Sequence, residues 1–455
     1  MGFTAGVYDL NKNSKIRTIS ILLFIGLIFI DYYISSVTDV TIPFIQSPFG
    51  IIFFVTLVIV CIVGSIFIIK KVSSILESKQ SIFSKYKILL RILQIVIYSL
   101  SAFLLYDILV QSKVITFNLT AIMAVSYGSS TLMSCYFSIK LLKWYRENKN
   151  RFAVIFGLSI FVLFINNAVS IVLFGTLLSE KPSEIDINTP VVFNFECESS
   201  SIYCSFKDNI ITLQSYTYMV YFALFWISNY FLLHYHIKKI GRFRFFTLIT
   251  IPLILFFFIF IYHYDELYSL SDDMNFDETI IFMIQIFMVM FSVMLCGTLY
   301  GIGFKSVANL LKIAPHVENY LKMASYGIIL LFISANATIV GASFPPYGIP
   351  SIAFLPFASL LFYIGVYYSI IAISNDIKVR KYIKSSAYKE LEIMGDLAQS
   401  QMVDNMKQKV LNMTKKYSNE LHQSNNSETM ESDEDLKNYL DEAINVFSKR
   451  EKKIS

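Results

Sequence analysis

GIIFFVTLVIVCIVGSIFIIKK, residues 50–71, decides the fold. Twenty residues without a charge run into Lys70 and Lys71. A helix rising 1.5 Å per residue needs about 20 apolar residues to cross a hydrocarbon core of about 30 Å, and only intrahelical hydrogen bonds satisfy its backbone in lipid. Residues 50–69 therefore predict a transmembrane helix, and the two lysines predict its cytoplasmic end.

Nine further stretches of this kind lie on either side, giving crossings near 18–37, 50–69, 88–110, 119–140, 152–178, 212–235, 245–262, 279–303, 324–344 and 352–374. Composition agrees. The chain of 455 residues is 55% hydrophobic and 16% charged, against about 25% charged for a water-soluble domain. The expected fold is all-α, a polytopic helix bundle over 1–374 with a cytoplasmic helical tail over 375–455.

Basic residues set the orientation, because cytoplasmic loops retain them. Lys12, Lys15 and Arg17 precede the first run; Lys70, Lys71, Lys79, Lys85 and Lys87 follow the second. Lys143, Arg146, Lys149 and Arg151 join the fourth and fifth, and Lys238, Lys239, Arg242 and Arg244 the sixth and seventh. The alternate loops carry Asp39, Lys113, an acidic segment from Glu180 to Asp208, and a cluster between Asp265 and Glu278. Both termini are thus expected inside, and Lys378, Arg380, Lys381 and Lys384 place the tail there independently. The first run is followed by Asp31, Tyr32 and Tyr33 in place of a small-residue cleavage site, so it reads as a retained helix.

Cys61, Cys135 and Cys296 fall within apolar runs and read as small hydrophobes. Cys197 and Cys204, six residues between them, lie in the outer loop 179–211, where an oxidising surrounding permits a disulfide. Val191, Val192, Phe193 and Phe195 in the same loop suggest a short hairpin closed by that bridge. Two free thiols are the alternative.

An ionisable group within hydrocarbon must be compensated or used. Asp31, two-thirds through the first run, is the leading candidate, with an interfacial carboxylate hydrogen-bonded by tyrosines as the structural alternative. Asp107, near the outer end of the third, reads as structural. Asn166 and Asn167 in the fifth run and Asn336 in the ninth are the further polar candidates, and interhelical hydrogen bonding is the commonest use of such groups. Gly297 and Gly301 form a small-xxx-small spacing suited to helix packing. Ala342–Ser351, with three prolines and a glycine, predicts a stiff hairpin lying at the outer membrane surface.

Enzyme signatures are missing from the sequence. It holds no phosphate-cradling glycine loop, no H-E-x-x-H and no kinase motif set. His234 and His236, two residues apart, fall on different helix faces, so neither a metal site nor a cofactor is expected. Inverted-repeat transporters use Gly/Pro-interrupted helices at matching positions; the first run has only Gly26 and the sixth neither residue. That architecture is disfavoured.

The tail carries Leu391, Met394, Ala398, Met402, Met406, Val410, Met413, Tyr417 and Leu421 at steps of three and four, which predicts a long amphipathic helix over 376–422. A linker over 423–431 leads to a second helix over 432–449, opened by Ser432 and Asp435 in a capping-box-like start. Its apolar face calls for a partner: the tail itself, the bilayer, a second copy or a cytosolic protein, but not nucleic acid.

Ser343-Phe-Pro-Pro-Tyr-Gly-Ile-Pro-Ser351, the stretch Gly365–Asp376, Ala398-Gln-Ser-Gln-Met402 and Leu436-Lys-Asn-Tyr-Leu440 resemble an uncharacterised family of multi-spanning proteins from ammonia-oxidising archaea. The resemblance covers roughly the last 120 residues. It implies an archaeal plasma membrane and transfers no residue role. The sequence therefore points to a sensor or signal transducer acting through its tail, with a small-solute transporter or a scaffold subunit as alternatives.

Overall fold

The computed structural model describes residues 23–36, 43–77, 84–148, 151–189, 202–234, 242–261, 278–310, 315–337, 343–375, 401–403 and 405–406. Ten long helices occupy them: α1 (Leu23–Ser36), α2 (Pro48–Glu77), α3 (Ser84–Tyr106), α4 (Thr116–Asn148), α5 (Arg151–Ser179), α6 (Ile202–His234), α7 (Arg242–Ile261), α8 (Glu278–Leu310), α9 (Pro315–Ala335) and α10 (Ile349–Asn375). Each overlaps one of the ten apolar stretches. Six of them, α2, α3, α5, α6, α8 and α10, are long and apolar enough to cross a membrane. Of the predicted tail helix, 401–403 and 405–406 are helical; the linker and the second tail helix lie outside the described residues.

Local chemistry explains the starts and stops. Ser47 caps α2: its Oγ accepts the Gly50 N–H at 3.1 Å, and Pro48, with no N–H to lose, opens the first turn. The carboxyl end of α3 widens into a π-helical turn, Asp107–Gln111, that stops at Ser112 in the left-handed region, φ 52°. Strand β1 (Lys113–Ile115) follows and pairs antiparallel with β2 (Glu184–Asp186), in register Lys113 to Asp186, Val114 to Ile185 and Ile115 to Glu184. Val114 and Ile185 are buried beneath this small ribbon.

The core sits around α10, which is buried almost along its whole length. Helix α9 lies antiparallel against it at backbone distance, because Gly327 abuts the Phe362 main chain and Gly365 abuts Ala324. A methyl group at either glycine would strike backbone. Helix α8 continues the layer, with the Ser325 hydroxyl donating to the Gly301 carbonyl at 2.7 Å. On the periphery, Ile52, Ile59, Val63 and Phe67 of α2 and Ile92, Ile95 and Phe103 of α3 are exposed. Large apolar side chains on an outer face suit contact with hydrocarbon rather than water.

Three departures from expectation stand out, and the first and third have local physical causes. The ninth helix runs over Pro315–Ala335, earlier than the predicted 324–344, since the Asn336 side-chain amide donates to the Phe332 carbonyl at 2.8 Å and so caps the carboxyl end. The sixth helix starts at Ile202, ten residues ahead of the predicted 212, and places Cys204 in its first turn. The proline-rich connector does not lie at the surface: Ser343–Ser351 are all buried inside the bundle. A segment of Pro, Phe and Tyr has few donors left to satisfy: the Tyr347 and Ile349 N–H groups bond to the Pro345 and Pro346 carbonyls within it, and helices α1 and α2 supply acceptors for Gly348, Ser351 and the Tyr347 hydroxyl.

Candidate functional site

The buried connector is built around Asp31. The Gly348 N–H donates to Oδ1 at 3.0 Å, and the Ser351 N–H and hydroxyl donate to Oδ2 at 2.9 and 2.6 Å. These donors belong to the amino end of α10, where unsatisfied N–H groups and the positive end of the helix dipole favour a carboxylate. Gly348, at φ 91°, supplies the left-handed turn that aims its N–H at the acid. Asp31 has no exposure, and its partners are the α10 amino end rather than the tyrosines expected from sequence. One helix further out, the Tyr347 hydroxyl donates to the Gly50 carbonyl of α2 at 2.7 Å. Helices α1, α2 and α10 are thereby tied at one point.

A second polar region lies between α4, α5, α6, α9 and α10. Asn167 donates through Nδ2 to Ser130 Oγ at 3.5 Å, and Ser130 shares a hydrogen bond of 2.7 Å with Ser359 of α10. The Tyr127 hydroxyl reaches the carbonyls of Ala337 and Ala335, at 3.0 and 3.3 Å, where α9 ends. Asn166 accepts from Thr217 of α6 at 3.3 Å, and Gln214 donates to Ser170 at 3.3 Å. Asn336 stands at the carboxyl end of α9, beside the Tyr221 hydroxyl.

Three buried atoms in this region have no hydrogen-bond partner among the described residues: Ser126 Oγ, Asn167 Oδ1 and Ser334 Oγ. Orphaned buried polar groups are uncommon and costly, about 1–3 kcal/mol each. A cavity of ≈ 10 Å³ lies one turn further in, where Ser134, Ser359 and Leu331 meet. Among the described residues, no group of three or more His, Cys, Asp or Glu could hold a metal ion.

The predicted sites thus fall into two places and one remainder. Asp31 joins the α10 amino end, whereas Asn166, Asn167 and Asn336 belong to the polar region beneath it. Asp107 is buried at the carboxyl end of α3 and accepts from Asn118 Nδ2 at 2.8 Å. Cys197 and the hairpin residues Val191–Phe195 lie outside the described residues, as does the side chain of Cys204. Cys61 and Cys296 are buried free thiols. Sequence reasoning passed over Ser126, Ser130, Ser134 and Ser138, all buried and four residues apart on one face of α4. That spacing was the available signal.

At the end carrying Ser112 and Ser179, loops read as outer meet one another. Gln46 Nε2 donates to the Ile187 carbonyl at 2.9 Å, Lys113 pairs with Glu184 at 2.6 Å, and the nearly inaccessible Lys207 pairs with Glu180 at 3.0 Å. No protein-family model, curated protein or solved structure matches the chain. Fold and site together define an all-α protein with several helices fit to span a membrane.

Proposed function

We propose that the chain is a ten-span protein of the plasma membrane with both termini in the cytosol, and that it transmits a signal from its outer loops to its cytoplasmic tail. The carrying observation is α10: its amino end is held by Asp31 of α1 and through Tyr347 by α2, its length is buried, and its carboxyl end leads directly into the tail. A helix gripped in this way moves as a body, so a shift at the outer end is passed to residue 375. Resemblance of the last 120 residues to the archaeal family agrees with such a location. The tail would then bind a cytosolic protein or a second copy, since its own sequence carries no catalytic motif.

Hydrogen exchange of the full chain in lipid nanodiscs tests this reading. Asp31→Ala frees the outer end of α10, and protection over 376–422 is expected to change while the bundle stays folded. Unchanged tail protection in a folded variant rejects transduction through α10. Transport of a small solute is favoured instead by the unpaired oxygens between α4, α5 and α9, and flux into liposomes that survives removal of the tail would select it.

A further inference from the structure

We infer that the junction of α4, α5, α9 and α10 binds a dehydrated monovalent cation of sodium size through uncharged oxygens. This goes beyond the transduction reading and stands without it. Three side-chain oxygens from three helices, Ser126 Oγ, Asn167 Oδ1 and Ser334 Oγ, are fully enclosed and have no partner among the described residues, not even one another. Their neighbours place them at one level of the bundle. Tyr127, adjacent to Ser126, bonds the carbonyls that follow Ser334; Ser130, one turn along α4 from Ser126, bonds Asn167 and Ser359.

All three oxygens can accept, and so suit a positive charge. Asn167 turns its amide nitrogen to Ser130, and its carboxamide oxygen is left as an unpartnered acceptor. Helix α9 ends inside the bundle with no basic residue in its last turn, so the partial negative charge of its carboxyl end faces the same place. Terminal carbonyls of interrupted helices coordinate alkali cations in membrane proteins, and the Ala335–Ala337 segment offers such carbonyls. Lysine cannot supply the charge: Lys140 lies fourteen residues along α4 from Ser126, about 21 Å away, and Lys113 and Lys207 pair with glutamates at the outer end. Asp31 is occupied at the amino end of α10, and without a carboxylate a divalent ion is poorly held.

Thermal unfolding of the purified full chain in nanodiscs, at equal ionic strength in sodium, potassium or N-methyl-D-glucamine chloride, tests the site. Sodium is expected to raise Tm by several degrees, saturating with concentration. Ser334→Ala removes a hydroxyl that no described protein group uses, so in N-methyl-D-glucamine it should be at least as stable as the parent, with the sodium response lost. Asn167→Asp, which adds a formal charge to the shell, should shift the response to at least tenfold lower sodium. Identical Tm in all three salts would leave water as the occupant and overturn the inference. A sodium response retained in Ser334→Ala and unmoved in Asn167→Asp would place the ion elsewhere and overturn it equally.

Discussion

Asp31 is a carboxylate spent on a helix end. Its two oxygens take up two main-chain N–H groups that would otherwise face an apolar interior, together with the Ser351 hydroxyl, which the Ile28 carbonyl also reaches at 3.1 Å. Leaving a buried donor unpaired costs about 1–3 kcal/mol, so Asp31→Ala should lower stability by about 3 kcal/mol or more. Asp31→Asn keeps one acceptor oxygen and should lose about half of that. Urea midpoints of the purified variants measure both, and an unchanged midpoint for Asp31→Ala would show that the cap contributes nothing. The sequence revealed that an acid within an apolar run had to be compensated. It could not reveal the partner, because Gly348 and Ser351 lie more than 300 residues away and main-chain donors carry no sequence signature. The same limit applies to Asn167, whose neighbour Ser130 was legible only as one step of the serine stripe along α4.

Elements are where the charge and hydropathy pattern spoke most clearly. All ten helices overlap the apolar stretches, and their boundaries shift where polar residues extend a helix, as at the start of α6, or end one: Asn336 stops α9 by taking the Phe332 carbonyl, a local bond that hydropathy cannot see. The β1–β2 ribbon was likewise illegible, since two three-residue strands separated by 68 residues leave no period to read. The close pairing of α9 with α10 depends on Gly327 and Gly365. Gly365→Leu must push the helices apart or distort both backbones, and overpacking of this kind costs about 1–3 kcal/mol, occasionally more. A fall in detergent Tm of several degrees is expected, whereas Gly26→Leu, at a glycine with open space around it, should leave Tm within a degree or two. At the outer ribbon, hydrogen bonds from the Asn188 N–H and the Thr189 hydroxyl hold the Asp186 carboxyl below its usual range. A carboxyl depressed in the fold stabilises it above the unfolded value of about 4, and this contribution is lost as pH falls through the lower, folded value. Amide exchange at Asn188 should therefore stay slow at pH 5 and rise, relative to the intrinsic rate, only in more acid solution.

At the scale of the whole molecule, the arrangement follows from where chain segments may end. Loops with few basic residues converge at one end of the bundle, through Gln46 with Ile187, Lys113 with Glu184 and Lys207 with Glu180. Basic loops join helix ends at the other, where Ser138 of α4 meets the Gly157 carbonyl of α5. Residues 180–189 and Lys207 stand at the acidic end, and in the orientation proposed above, with basic loops in the cytosol, that end is extracellular. Labelling of sealed cells with a membrane-impermeant maleimide separates the consequences. Cys61 and Cys296 are enclosed by the bundle, so they contribute little signal. If Cys197 and Cys204 are bridged, labelling is low at first and rises by two groups per chain after mild reduction; in a Cys197→Ser, Cys204→Ser variant the rise disappears. Two groups labelled before reduction would mean outward free thiols and no bridge. A chain labelled at these positions only after permeabilisation would have its acidic end in the cytosol, and helix α10 would then deliver its tail to the outside.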